Sequence, residues 1–254
     1  MRRIVLIATA LGVLVAAGAA YAAINTYSAT LKFTSKKAGT AAKPVATGFT
    51  QDIKAAGTSG NRTAVLLDIK TTIYGIKVDG KDFPTCPETT ISNAHTDAGC
   101  PKGAEVATGY ITASIGSKTN FAASGSACNP LLDVWNGGQG KLTFFFVDTP
   151  THQCLGGSLK TGNVGPYPAT YKTVGKNMVL DVPIPTYVDF PVPGVAGSLE
   201  TEHLVWKSAT KGKHISIASV ACKGTTRPYS NTFKANLPTT NATETKTVSG
   251  SGSC

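Results

Sequence analysis

Six cysteines carry the most reactive chemistry in this chain: Cys86, Cys100, Cys128, Cys154, Cys222 and Cys254. Cysteines at such numbers bind metal, act as thiolate nucleophiles or pair as disulfides, and their spacing separates the three. No C-x-x-C occurs, and His152, two residues before Cys154, is the histidine nearest to any cysteine. Zinc sites usually show closer ligand pairs. An even count in an exported chain points to disulfides. Cys86 and Cys100 close a short polar loop, a closure worth about 3 kcal/mol in the loop-entropy account. Cys128 and Cys154 flank a hairpin whose first arm ends at Trp135, turns at Asn136-Gly137-Gly138 and returns over residues 141–148. Cys222 and Cys254 stand at the ends of the first and third strands of an up-down-up meander. The expected pairing is therefore 86–100, 128–154 and 222–254.

Other chemistry-bearing groups are sparse. The nucleophile elbow G-x-S-x-G, the P-loop, the dinucleotide fingerprint, H-E-x-x-H and the EF-hand loop are all missing. The stretch LETEHLVW places Glu200 and Glu202 on one strand face, which continues through Leu204 and Trp206, and puts His203 on the other. The acids are expected at the solvated end of that face. Two carboxylates on one face could serve glycoside hydrolysis, but no catalytic residue, metal ligand or cofactor is assigned. Aromatic rings are the remaining cue. Trp135 is expected at the hairpin turn, Tyr167 stands between Pro166 and Pro168, and Tyr187 lies in a proline-rich tract. Exposed flat rings there could stack on sugars; Trp206 reads as core.

The elements that must position these groups alternate with a period of two. TYSATLKFT puts Tyr27, Ala29, Leu31 and Phe33 on one face, a half-buried strand. LLDIKTTIYGIKVDG runs Leu67, Ile69, Thr71 and Ile73 before its apolar set slips phase at Gly75, which suggests a bulge. EVATGYITASIG, KLTFFFVD, KNMVLDVPI and EHLVWKSA read as further strands, and no segment keeps a helical apolar period for three turns. The fold expected is all-β, one large antiparallel β-sandwich; two small packed sandwiches divided near residues 117–127 are the alternative. The tract DVPIPTYVDFPVPGVAG cannot form a central strand. It reads as an edge strand crossing between sheets, or as a rigid rim exposing Tyr187 and Phe190.

The first residues set the compartment. Met1-Arg2-Arg3, an uncharged apolar run over residues 4–20 and Ala20-Tyr21-Ala22 describe a signal peptide over residues 1–22. An uncleaved anchor is the competing reading. The mature domain then spans residues 23–254, without a second apolar run of that length. Losing Arg2 and Arg3 lowers the formal charge from +10 to +8. The excess is scattered lysine, with only Arg62 and Arg227 remaining. Nucleic acid, which favours clustered arginine beside aromatics, is not an expected partner.

The order of a strand, FPTC, a second Cys-Pro and VATGYITA resembles a set of uncharacterised exported disulfide-containing β-sandwich proteins of high-GC Gram-positive bacteria. So does the C-terminal order of a cysteine, RPYSNTFKANLP and a final cysteine. The resemblance implies fold and export and carries no activity. The expectation is a secreted or cell-surface protein with a binding or structural role in the envelope. Trp135, Tyr167 and Tyr187 would be its contacts to a cell-wall polymer or carbohydrate. A secreted hydrolase acting on wall or environmental polysaccharide is the alternative. The assembly state is left open.

Overall fold

A computed structural model describes residues 24–154 and 159–254; the expected leader lies outside the described residues. The strands among these residues are, in chain order, β1 Asn25–Phe33, β2 Val45–Ala46, β3 Phe49–Gly57, β4 Val65–Tyr74, β5 Ile76–Val78, β6 Glu105–Ser117, β7 Ser126–Cys128, β8 Leu131–Gly138 and β9 Lys141–Val147. They continue as β10 Tyr167–Val174, β11 Asn177–Pro183, β12 Val195–Trp206, β13 Thr210–Lys211, β14 His214–Ile215, β15 Ile217–Ser219, β16 Thr226–Leu237 and β17 Ala242–Ser253. Two short helices interrupt them, α1 Glu88–Ala94 and α2 Thr186–Asp189. The fold is all-β and antiparallel, as the alternation indicates.

One large sheet carries the order β1-β3-β12-β6-β8-β9-β10-β11-β4-β16-β17, with β7 beside β6. Its two terminal strands approach each other through side chains. Tyr27 of β1 stacks on Phe233 of β16 at 4.4 Å between centroids, and the Tyr229 hydroxyl donates to Ala29 O at 3.4 Å. The Glu244 carboxylate of β17 accepts the backbone N–H groups of Ile24 and Asn25 at 3.0 and 2.8 Å. The sheet is thus nearly closed, with a seam bridged by side chains. One continuous core fills it, built from the inward members of each alternating strand, among them Phe49, Ile53, Ile73, Leu132, Phe144, Leu204 and Phe233.

Gly75 explains the phase slip. It adopts φ 71°, and a Cβ there would sit 2.0 Å from Ala221 O. Only glycine accommodates both. The chain leaves the large sheet at this point, and β5 joins β2 and β15 in a separate small sheet.

All three disulfides form as expected, with Cα–Cα separations of 5.2, 4.0 and 6.1 Å for 86–100, 128–154 and 222–254. The route to the third differs. β15 does not pair with β16, so the C-terminal segment is a β16–β17 hairpin rather than a three-strand meander. Cys254 is brought to Cys222 by the loop between them, where Cys254 N–H donates to Thr225 O at 2.9 Å. The Cys128–Cys154 hairpin is β8–β9, with its turn at Gln139-Gly140 and Trp135 inside the ladder opposite Thr143.

The polar loop closed by Cys86–Cys100 holds α1 and covers the outer face of β8 and β9. Ile91, Cys86 and Ala104 pack there on Trp135 and Phe145. Asn136 docks it, donating from Nδ2 to the carbonyls of Gly80 and Pro84, each at 2.9 Å. That cover is why KLTFFFV is apolar on both faces.

The proline tract is also different from an edge strand. β11 pairs with β10 as far as Asp181 and with β4 as far as Pro183, and the chain then turns into α2.

Candidate functional site

Glu202 is the group that the alternation misplaces. β6 and β12 shift register between Leu199 and Thr201, so Glu200 is the extra residue of a bulge and stays exposed. Beyond the bulge Glu202, Leu204 and Trp206 face inward, and Glu202 is only 8% exposed. The carboxylate pair that a glycoside hydrolase would need on this strand does not form.

Glu202 lines a cavity with about 100 Å³ open to the centre of a water molecule. Its walls are apolar, with Ile69, Ile111, Ile115, Leu132 and Phe146 inside and the Cys128–Cys154 disulfide along one side. The half-buried rim includes Leu159, Val164, Ile184, Val188 and Pro191. The proline tract therefore forms part of a rim, and α2 delivers a second acid. Asp189 is 5% exposed and lines the same cavity. Pro185 starts this helical turn, and the Asp189 N–H donates to Pro185 O at 3.2 Å.

Burial alone pushes the Asp189 carboxyl up to about 8 and the Glu202 carboxyl up to about 7, because an ionised carboxylate is poorly solvated among apolar walls. No side-chain donor reaches Asp189 among the described residues. Glu202 receives one bond, from Gln51 Nε2 to its Oε1 at 3.3 Å. Tyr167, 4% exposed, borders the same space. Burial raises its phenol well above the usual range, and the charges of Glu202, Tyr187 and Asp189 raise it further. A smaller void of about 20 Å³ adjoins Glu202 between Gln51, Tyr167 and Trp206. Gln51 Oε1 and Trp206 Nε1 are buried there without partners.

Arg62 braces the wall from outside. Its guanidinium donates to the carbonyls of Ser117, Asn120, Ala123 and Ala196 and to Ser198 Oγ, and it lies 4.6 Å over the Phe121 ring. Ser198 is itself a cavity residue. At the mouth, Asp148 accepts Thr161 N–H and Oγ1–H, both at 2.6 Å, and fixes the turn that carries Thr161 and Val164.

The three expected aromatic contacts do not share one surface. Trp135 is 9% exposed beneath the Cys86–Cys100 loop, away from the hairpin turn, and offers no platform. Tyr167 is a cavity wall rather than an exposed ring, because Pro168 faces outward and Tyr167, Ala169 and Tyr171 face in. Tyr187 is 43% exposed, and its hydroxyl donates to Pro166 O at 2.8 Å. Sequence reasoning missed Asp189 entirely. Its signal is a lone acid between aromatics, Tyr187 and Phe190, within a tract able to cap the end of a sheet.

On the outside, His203 Nδ1 lies 2.7 Å from Asp52 Oδ1, and the Tyr110 ring stacks on His203 at 5.2 Å. Among the described residues no cysteine is free, and no three His, Cys, Asp or Glu groups are placed to hold a metal ion. No described helix is long and apolar enough to cross a membrane. No protein-family model, curated protein or solved structure matches the chain.

Proposed function

We propose that this chain is an exported β-protein of the cell envelope that holds a small ligand with an apolar body inside its sheet. The observation that carries the reading is the cavity. Protein interiors leave few voids larger than a water molecule. A pocket of about 100 Å³ lined by Ile, Leu and Phe behind a half-buried rim costs free energy by holding apolar surface against water when nothing fills it. Two buried acids at its wall add to that cost. An occupant offsets both, and an apolar cleft with a few convergent polar groups is the common form of a small-molecule site.

Export is supported by the leader-like residues 1–22 and by three disulfides, which persist in oxidising compartments. Scattered lysines on the surface suit a protein that lives beside anionic wall polymers or headgroups.

Calorimetric titration with 1-octanol tests the binding. The native protein should show saturable heat. Ala113→Leu, which grows a side chain into the cavity from β6, should lose it while keeping a cooperative melt. A folded native protein that takes up no 1-octanol would overturn the reading. Sequencing the N-terminus of protein recovered from an exporting host should find a start at Ala23.

A further inference from the structure

The ionisable groups of the cavity wall are all of one kind. Asp189, Glu202 and Tyr167 line it, and among the described residues no lysine, arginine or histidine does. That is the reverse of the whole chain, in which 24 Lys and Arg outnumber 14 Asp and Glu. Arg62 is the nearest described cation bonded to the wall, and it stands behind Ser198 with its donors committed to Ser198 Oγ and four carbonyls. It neutralises neither acid.

Asp189 decides the ligand. It is nineteen-twentieths buried, faces the cavity and receives no side-chain hydrogen bond. Its carboxylate oxygens are not among the fully enclosed atoms without a partner, so water reaches them and a ligand's donor can take its place. Glu202 has one oxygen engaged by Gln51, and a carboxylate accepts well beyond one bond.

From this placement we infer that the cavity selects a small amphipathic amine, its ammonium head set against Asp189 and Glu202 and its hydrocarbon body along Ile69, Ile111, Ile115 and Phe146. The inference rests on the binding reading above and names its ligand class. An ammonium supplies three N–H donors and the positive charge that the wall lacks. The Tyr167 ring borders the same space beside Glu202, and an aromatic ring favours a neighbouring cation. A carboxylate head would meet two acids, and an alcohol could satisfy them only singly.

The test compares octylamine, 1-octanol and octanoate by calorimetry on the disulfide-bonded protein at about pH 9, above the values to which burial raises both carboxyls. Octylamine should bind at least tenfold tighter than 1-octanol, and octanoate more weakly than either. Asp189→Asn should abolish the preference for amine while retaining binding of 1-octanol. Glu202→Gln should reduce the preference in part, and serves if the first variant fails to fold. If 1-octanol binds as tightly as octylamine, or if both folded variants keep the full preference, the amine inference fails and the binding reading stands. If neither compound binds the folded protein, both fail.

Discussion

Replacing Asp189 by Asn tests the electrostatics of the cavity without any ligand. The ordinary carboxyl value for this group is 3.8, and burial raises it in the folded chain to about 8. Below the lower value both states carry the proton and the acid costs nothing. Between the two values the unfolded chain ionises and the native chain does not, so stability falls as pH rises. Above the upper value the loss is complete. A displacement of about four pH units at 1.36 kcal/mol each gives about 5–6 kcal/mol as the ceiling. Relaxation and water entry reduce this to a few kcal/mol. Glu202, raised from 4.5 to about 7, adds a slope of the same sign over its narrower window. The assay is urea denaturation, disulfides intact and ligand absent, at pH 4 and pH 8. Native protein should be less stable at pH 8, and Asp189→Asn should recover at least about 2 kcal/mol there relative to its own effect at pH 4. An Asn whose effect is equal at the two pH values would refute the argument, because a packing change carries no proton.

Three further outcomes follow from buried and bridging charges. Arg62→Met should cost about 3–5 kcal/mol and open residues 117–125 to protease, since the guanidinium ties Ser117, Asn120 and Ala123 to β12. Arg227→Met should cost no more than about 1 kcal/mol in urea. That arginine is fully buried with Nε and Nη1 unpartnered, held by Ser219 Oγ at 2.6 Å and by the Phe33 ring at 4.4 Å. Glu244→Gln should cost about 1–2 kcal/mol and speed hydrogen exchange at the Ile24 and Asn25 amides, because the charge strengthens both bonds across the seam.

Strands whose inward rows are purely apolar are legible from sequence. β1, β6, β9 and β11 declare themselves, as do the three local disulfides, and β16 is read through Tyr229, Phe233 and Ala235 although Arg227 and Asn231 share its inward row. β3 is not legible, because its inward row Phe49, Gln51, Ile53 and Ala55 contains an amide that only the neighbouring Glu202 explains. β10 hides behind Pro166 and Pro168, though Tyr167, Ala169 and Tyr171 alternate correctly. The site was half visible. The Glu202 row was recognised as a face with Leu204 and Trp206, but which end of that row meets solvent depends on the β6–β12 bulge. Burial of Asp189 depends on α2 capping the sheet, a long-range arrangement without a local pattern.

One side of the cavity is a covalent bond between Cys128 and Cys154. Where thiols are held reduced, that partition does not exist, and β7 is joined to the residues beyond β9 by weaker contacts alone. The receptacle is therefore finished by oxidation rather than by chain folding. Under the binding function proposed above, a newly made copy would hold its ligand only after reaching an environment that makes the bond, so that loading would be timed by chemistry and not by encounter.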